Sequence, residues 1–297
     1  MKKRWWLNLI LLGLVASLVA FLYLRPKSAE LTNEVYELSS YKLSEFNAIS
    51  VEFPTKAAVT FEKKAGLWRL TAPYQTRADQ ASVQRILAIV AASSPEKFTS
   101  NDLEKFGLNN PAVKLKLIRS SGNFEEFLFG AHNPITGQQY ALHKNSVYLI
   151  EGTYSEAAAT QAIEMVDKSP LNSTEKVAGF DFSRLEQWEA SKLNVDLVDG
   201  HWSVSIPKAK PVQNELNEWL DYNWVHSFAK SVELYTPDRK VTYPSFEVKL
   251  ADGTKVHFDK IQESPELVLA RPDEGLKYSF ASDVGFVMLN PPINLPN

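Results

Sequence analysis

Gly66-Leu-Trp68-Arg-Leu-Thr-Ala-Pro73 recurs as Gly200-His-Trp202-Ser-Val-Ser-Ile-Pro207, Trp over Trp and Pro over Pro, both displaced by 134 residues. Alternating residues precede each copy, Val59-Thr-Phe61 and Val195-Asp-Leu197. A helical stripe follows each: Val83, Ile86, Leu87 and Val90 in one, Val212, Leu216, Trp219 and Leu220 in the other. Period two marks a half-buried strand, and the i, i+3, i+4 spacing marks a helix with one buried face. Further on, Asn110-Pro111 leads into Val113-Lys-Leu115-Lys-Leu117, a Ser121-Gly122 turn and Phe127-Leu-Phe129. In parallel, Tyr243-Pro244 leads into Phe246-Glu-Val248-Lys-Leu250, an Asp252-Gly253 turn and Val256-His-Phe258. Asp-Gly between alternating runs is a hairpin signal. A closing strand is expected in each copy, at Val147–Ile150 and at Phe286–Leu289.

These observations predict an α+β body made of two tandem repeats, 46–152 and 187–290, each an antiparallel sheet with a helix packed on one face. Residues 153–186 read as a helical, then turn-rich linker suited to a hinge, and 291–297 as a tail. Trp68 and Trp202 are expected at equivalent core positions, since each alternation needs a large apolar side chain on its buried face. Asn101, Glu104 and Gly107 read as the cap and stop of a helix.

Ahead of the body, Trp5 to Leu24 is a run of 20 residues without a charge. At about 1.5 Å per residue such a helix spans about 30 Å, the hydrocarbon thickness of a bilayer. Trp5, Trp6 and Tyr23 sit where interfacial aromatics belong. A cleavable signal peptide is the other reading, with small residues at Ala16 and Ala20, but its apolar core would be unusually long. The expectation is a single-pass anchor within residues 1–27, a connector over 28–45, and a body outside the cytoplasm. Lys2, Lys3 and Arg4 outweigh Arg25 and Lys27 and so favour a cytoplasmic N-terminus. The chain has no cysteine, which agrees with an oxidising compartment.

Apolar residues make up 44% of the chain and charged residues 23%, a balance that builds a core rather than a disordered chain. Against a formal −3 for the whole chain, the five cations and no acids of residues 1–27 leave −8 for the rest. Nucleic acid and anionic lipid both reward clustered Lys and Arg, so an acidic body argues against nucleic acid as a partner.

No G-x-S-x-G, H-E-x-x-H, P-loop or G-x-G-x-x-G motif occurs. His132, His143, His201, His226 and His257 are scattered singly, with no pair at ligand spacing, so no metal or cofactor is expected. Glu125-Glu126 and Asp221 near Glu218 read as solvated faces. One loop differs between the copies: Gly130-Ala-His132-Asn133-Pro134-Ile-Thr136-Gly137, leading into Tyr140, where the second copy has Lys260-Ile-Gln-Glu-Ser-Pro265. A loop that one copy elaborates is not required by a shared fold, so Gly130, Asn133, Thr136, Gly137 and Tyr140 are the candidate binding residues. A long turn using Asn-Pro and Gly for their dihedral preferences would account for the same residues.

Phe106-Gly-Leu108-Asn-Asn-Pro111, followed by Gly130…Asn133-Pro134-Ile-Thr136-Gly137…Tyr140-Ala141 and Val147-Tyr148-Leu149, resembles the bacterial domain-of-unknown-function family 4340. The resemblance covers most of 48–150 and extends through the divergent second copy. It implies a membrane-anchored protein associated with ABC transporters of the gliding-motility type, and supplies no catalytic residue. The expected function is therefore a non-enzymatic accessory or substrate-binding component of an ABC-type transport or envelope system, on the periplasmic side of an inner membrane. The rival readings are a structural envelope scaffold acting by protein contacts and, from another class, a hydrolase of envelope polymers.

Overall fold

Period-two alternation builds most of the body. In the computed structural model, which describes Trp6, residues 12–21 and residues 35–295, mixed α+β architecture is dominated by antiparallel sheets with few helices. The first sheet contains β2 (Phe46–Glu52), β3 (Val59–Lys64), β4 (Leu67–Ala72), β5 (Thr76–Arg77), β7 (Lys97–Phe98), β8 (Val113–Arg119), β9 (Phe124–His132), β10 (Gln139–His143) and β11 (Ser146–Ile150). Its order is β5-β4-β3-β2-β8-β9-β10-β11-β7. The second contains β12 (Val177–Arg184), β13 (Asn194–Val198), β14 (His201–Val204), β15 (Ser231–Leu234), β16 (Ser245–Leu250), β17 (Lys255–Gln262), β18 (Glu266–Arg271) and β19 (Leu276–Ala281), in the order β14-β13-β12-β16-β17-β18-β19-β15. Apart from β5, the two orders are the same. A separate small ladder pairs β1 (Tyr36–Glu37) with β6 (Ser93–Ser94).

The repeated motif forms the same hairpin twice. Ala65-Gly66 and Asp199-Gly200 all have positive φ, the two-residue turn whose twist matches flanking strands. The following strand buries Trp68 in the first sheet and Trp202 in the second. Next comes a helix, α2 (Gln80–Leu87) and then α4 (Gln213–Leu220), and its first residue reaches back to the tryptophan. Gln80 Oε1 accepts the Trp68 N–H at 2.9 Å and Gln80 Nε2 donates to the Trp68 carbonyl at 3.0 Å. Gln213 does the same at Trp202, at 2.6 and 3.0 Å. A side-chain amide thus stands in for a neighbouring strand at each position and satisfies both backbone groups.

Among the described residues ahead of the sheets, Trp6 and residues 12–21 are helical, the latter labelled α1. Residues 5, 7–11 and 22–24 of the expected anchor run and 28–34 of the connector lie outside the described residues, as do residues 296–297 of the tail. Among the described residues no helix is long and apolar enough to cross a membrane.

Four expectations are corrected. Phe286–Leu289 is not a closing strand but the end of α5 (Ser282–Leu289). The closing strand is β19, whose Leu276, Tyr278 and Phe280 are buried in alternation. An unbroken apolar run has no readable period, and here packing chose the helix: a Cβ on Gly285 would lie 2.3 Å from Leu267 of β18. Three indoles hold its end, Trp188, Trp219 and Trp224 donating to the carbonyls of Leu289, Val287 and Met288 at 2.9, 2.7 and 3.3 Å. The last carbonyls of a helix lack i+4 partners, and apart from the Asn290 N–H at 3.3 Å from the Val287 carbonyl it is the indoles that remove the cost of burying them.

Second, β12 falls inside the segment 153–186, so the second sheet begins before 187. Third, that segment is no free hinge. After α3 (Thr153–Ala159), residues 165–168 are stitched to both sheets. Asp79 N–H donates to the Met165 carbonyl at 2.8 Å, Asp167 N–H to Arg77 at 3.1 Å, and Ala229 N–H to Lys168 at 2.9 Å. The expected helix ending at Gly107 is a 3-10 turn, Glu104–Phe106, which stops at Gly107 in the left-handed region and does not use Asn101 as its cap.

Candidate functional site

The 130–140 loop joins β9 to β10. Asn133 N–H donates to the Gln138 carbonyl at 2.7 Å and Gly137 N–H to the Asn133 carbonyl at 2.8 Å, closing the turn. Asn133 Oδ1 accepts from the Ile135 and Thr136 amides, and Thr136 Oγ1 from the Gln138 amide. The polar acceptors proposed for a ligand are therefore directed at the loop's own backbone. Gly137, at φ +75°, supplies the left-handed residue. Gly130 does something else than supply backbone freedom: a Cβ there would sit 2.1 Å from the Phe106 carbonyl, so it permits close packing of the strand on the 104–106 turn. Tyr140 is half-buried against Phe106, with ring centroids 4.7 Å apart. Asn133 is half-buried and Thr136 exposed. What the braced turn presents is Ile135, 92% exposed. Periodicity could not point to it, because a single apolar residue in a polar loop carries no pattern.

Beneath the same hairpin lies a charged cluster that corrects the reading of Glu125-Glu126 as one solvated face. Glu125 is 3% exposed and His143 2%, and both point into the layer under the sheet. Glu125 Oε2 accepts from Ser39 Oγ at 2.9 Å and lies 3.0 Å from His143 Nε2, while Lys144 Nζ meets Oε1 at 2.7 Å. His143 Nδ1 is 2.8 Å from the Glu126 carbonyl, and its ring stacks on Phe127 with centroids 4.4 Å apart. The Ser39 proton goes to the carboxylate, and the carboxylate rather than the imidazole sits in the middle. This differs from a nucleophile–base arrangement, in which the base faces the hydroxyl. Alternation alone could have placed Glu125, which is in phase with buried Phe127 and Phe129.

A third cluster joins the sheets. Arg77 of β5 donates from Nε and Nη2 to both Glu274 oxygens at 2.8 and 3.2 Å, and from Nη1 to Asp167 at 2.6 Å. Nη2 also reaches the Ser169 carbonyl and the Tyr278 hydroxyl. Arg271 holds Glu175 through two bonds of 3.0 Å and also Asp273 and the Pro170 carbonyl. Burial works against the Arg77 charge, but Glu274, Tyr278 and Asp167 outweigh it and its pKa is raised. Burial likewise pushes the Tyr278 phenol far up, so it stays a donor, to Glu274 at 2.7 Å. With all three nitrogens engaged, Arg77 fastens the sheets. A cleft of about 410 Å³ runs beside it, bordered by Leu67, Arg69, Asp79, Asp167, Asn172 and Thr174. Among the described residues no group of three or more His, Asp or Glu is placed to hold a metal ion.

A family model, Domain of unknown function (DUF4340), matches residues 68–236, more than half of the chain. The match starts at the tryptophan of β4 and ends just past β15, so it crosses from one sheet into the other. No curated protein and no solved structure matches the chain significantly.

Proposed function

The chain belongs to the DUF4340 family, and from there we propose that it is a membrane-anchored, extracytoplasmic, non-enzymatic accessory or substrate-binding component of an ABC-type transport or cell-envelope system, touching its partner through the 130–140 loop. The observation that carries the contact is Ile135, a large apolar side chain left 92% exposed by a turn that uses its own polar atoms to stay rigid. Leaving such a side chain in water forgoes about 1.5–3 kcal/mol that a partner's apolar pocket would recover. A preformed turn also loses little entropy on docking. No Lys or Arg lies within 130–140, which favours a protein pocket over an anionic lipid surface. The anchor rests on the uncharged run Trp5–Leu24, and the transporter association on the family resemblance.

The experiment is a purification of the full chain from its own membranes, wild type beside Ile135→Ser, together with a reporter active only outside the cytoplasm fused after residue 297. An active fusion, a mature start near Met1, and transporter subunits retained by wild type but lost from the variant at unchanged melting temperature are expected. A mature start near Phe21 would remove the anchor. Equal retention by both chains would remove the loop. Co-purification of envelope proteins without any transporter subunit would turn the reading into the scaffold one.

A further inference from the structure

We infer that the face where the two sheets meet is a docking groove for an extended, acidic and apolar segment of a partner protein, laid along residues 171–177. Three clefts adjoin there. The cleft of about 410 Å³ beside Arg77 shares Asn172 and Thr174 with one of about 550 Å³, which is bordered also by Lys176, Leu250 and Asp252. A third, of about 220 Å³, lies against the same segment and has Leu171, Val177, Leu220 and Val225 on its apolar side. Together they reach from Leu67 in the first sheet to Val225 and Leu250 in the second half of the chain. The segment between them is fixed before anything binds. Asn172 N–H donates to Glu175 Oε2 at 2.7 Å and Glu175 N–H to the Asn172 carbonyl at 3.0 Å. Arg271 grips the Glu175 carboxylate, and Ala251 N–H donates to the Lys176 carbonyl at 2.8 Å. A preformed groove loses little entropy when it is filled.

The side-chain bonding capacity left over is of one kind. Each acid bordering the clefts is engaged within the chain: Asp79 accepts from the Ser82 amide, Asp167 from Arg77, Glu175 from Arg271, and Asp252 from the Thr254 amide and hydroxyl. Asn172 Oδ1 likewise takes the Thr174 amide and hydroxyl at 2.8 and 2.6 Å, which leaves Nδ2 as an open donor. The cations are the reverse. Arg77 is spent on the junction, but Arg69 and Lys176 are exposed, and among the described residues neither side chain has an ion pair or hydrogen-bond partner. Glu62, the cross-strand neighbour of Arg69, is taken by Lys64 at 3.2 Å. This face of an acidic body therefore offers donors and positive charge and no free carboxylate.

The placement of the two cations selects the occupant. Arg69 borders the first cleft and Lys176 the other two, so a single small anion leaves one of them unmet, whereas a polypeptide carrying several carboxylates meets both. Leu67 and Val225, 42% and 50% exposed, border the first and third clefts and receive that chain's apolar side chains. A bilayer surface fits less well: it is flat, it reads charge alone, and it would also face the exposed Asp221 and Asp252. The groove is separate from the 130–140 loop and stands whether or not that loop meets a transporter.

Selection of a random decapeptide display library on the full chain, followed by fluorescence anisotropy of the enriched peptides, tests this. Enriched sequences should combine acidic with apolar residues, and their affinity should fall as salt rises. Arg69→Gln and Lys176→Gln should each weaken binding about fivefold, the loss of one exposed ion pair, and the double variant should weaken it further. Melting temperatures should stay unchanged, because neither side chain holds a partner in the free protein. Lys56→Gln, which removes an exposed cation outside the clefts, should bind as the wild type does. A library without enrichment, enriched peptides without acids, an equal loss in Lys56→Gln, or full binding by the double variant would each overturn the groove. Displacement of the peptides by phosphatidylglycerol vesicles would overturn it too, by assigning the two cations to lipid.

Discussion

Trp68 and Trp202 stand on equivalent strands, after equivalent turns, and each is clasped by the first residue of the next helix, yet the two sheets are finished by different means. Under the second sheet Phe180, Phe182, Trp219, Trp224, Phe246 and Phe258 form a continuous aromatic cluster with ring centroids 4.8–6.4 Å apart. The indoles of Trp219 and Trp224 double as caps for α5. Under the first sheet the corresponding layer is mostly aliphatic, with Val83, Ile86, Leu87, Ile49, Leu115 and Leu117 around Phe61 and Phe127. There the buried polar business is done by Glu125 and His143. The helix after each motif also ends differently: α2 tightens into a 3-10 turn over Ala88–Ala91, whereas α4 widens into a π-turn over Asp221–Val225 that swings Trp224 inward. One strand order therefore tolerates two core chemistries, provided that strand alternation and the Trp–Gln clasp are kept. The copies differ most at their ends and loops, where the fold asks least of the sequence.

The largest effect should come from breaking the junction between the sheets. Arg77→Ala takes the guanidinium away from the partly buried Asp167 and Glu274 carboxylates, leaving Tyr278 its bond to Glu274, and should cost about 3–5 kcal/mol. In denaturant unfolding followed by fluorescence and circular dichroism, one transition should split into two. A single unshifted transition would mean that the 165–168 stitching alone joins the sheets. Next, Trp68→Ala and Trp202→Ala should each cost about 3–4 kcal/mol of unfolding free energy. Trp202 should be the dearer, because its indole also donates to Asn217 at 2.8 Å. A silent substitution at either position would break the equivalence. Smaller again, at about 1–2 kcal/mol each, Gln80→Ala leaves the Trp68 N–H unpartnered while the Ala78 N–H still donates to the Trp68 carbonyl at 3.3 Å, and Gln213→Ala removes the partner of both Trp202 groups, so a larger loss in Gln213→Ala would sharpen the comparison to the level of single bonds.

Much of this frame was readable without coordinates. The Trp and Pro register, the Gly66 and Gly200 turns and the alternation through Val113–Leu117 and Phe246–Leu250 each carry a local period, and a local period survives in sequence whatever packs on top. The Gln80–Trp68 and Gln213–Trp202 clasps were not readable, because their spacings differ, at 12 and 11 residues, and spacing alone does not say that an amide will face a backbone. The 130–140 loop was legible as an asymmetry. Its reading went to Asn133 and Thr136, since polar side chains in a loop look like ligands until their acceptors are seen turned inward.

The amino-acid order by itself determined the duplicated strand–helix pattern, the charge split between a basic start and an acidic body, and the uncharged run Trp5–Leu24. All of these are statements about neighbours within a few residues or about totals. Tertiary structure alone decided that Phe286–Leu289 is helical, that Glu125 meets Lys144 and His143, that Ser39 meets a glutamate 86 residues away and that Arg77 meets another 197 residues away. The physical reason is common to all four. An apolar run without alternation suits a helix or a strand equally until Gly285 allows one surface to approach another, and a charge chooses its partner by Coulomb attraction across space, which leaves no period along the chain.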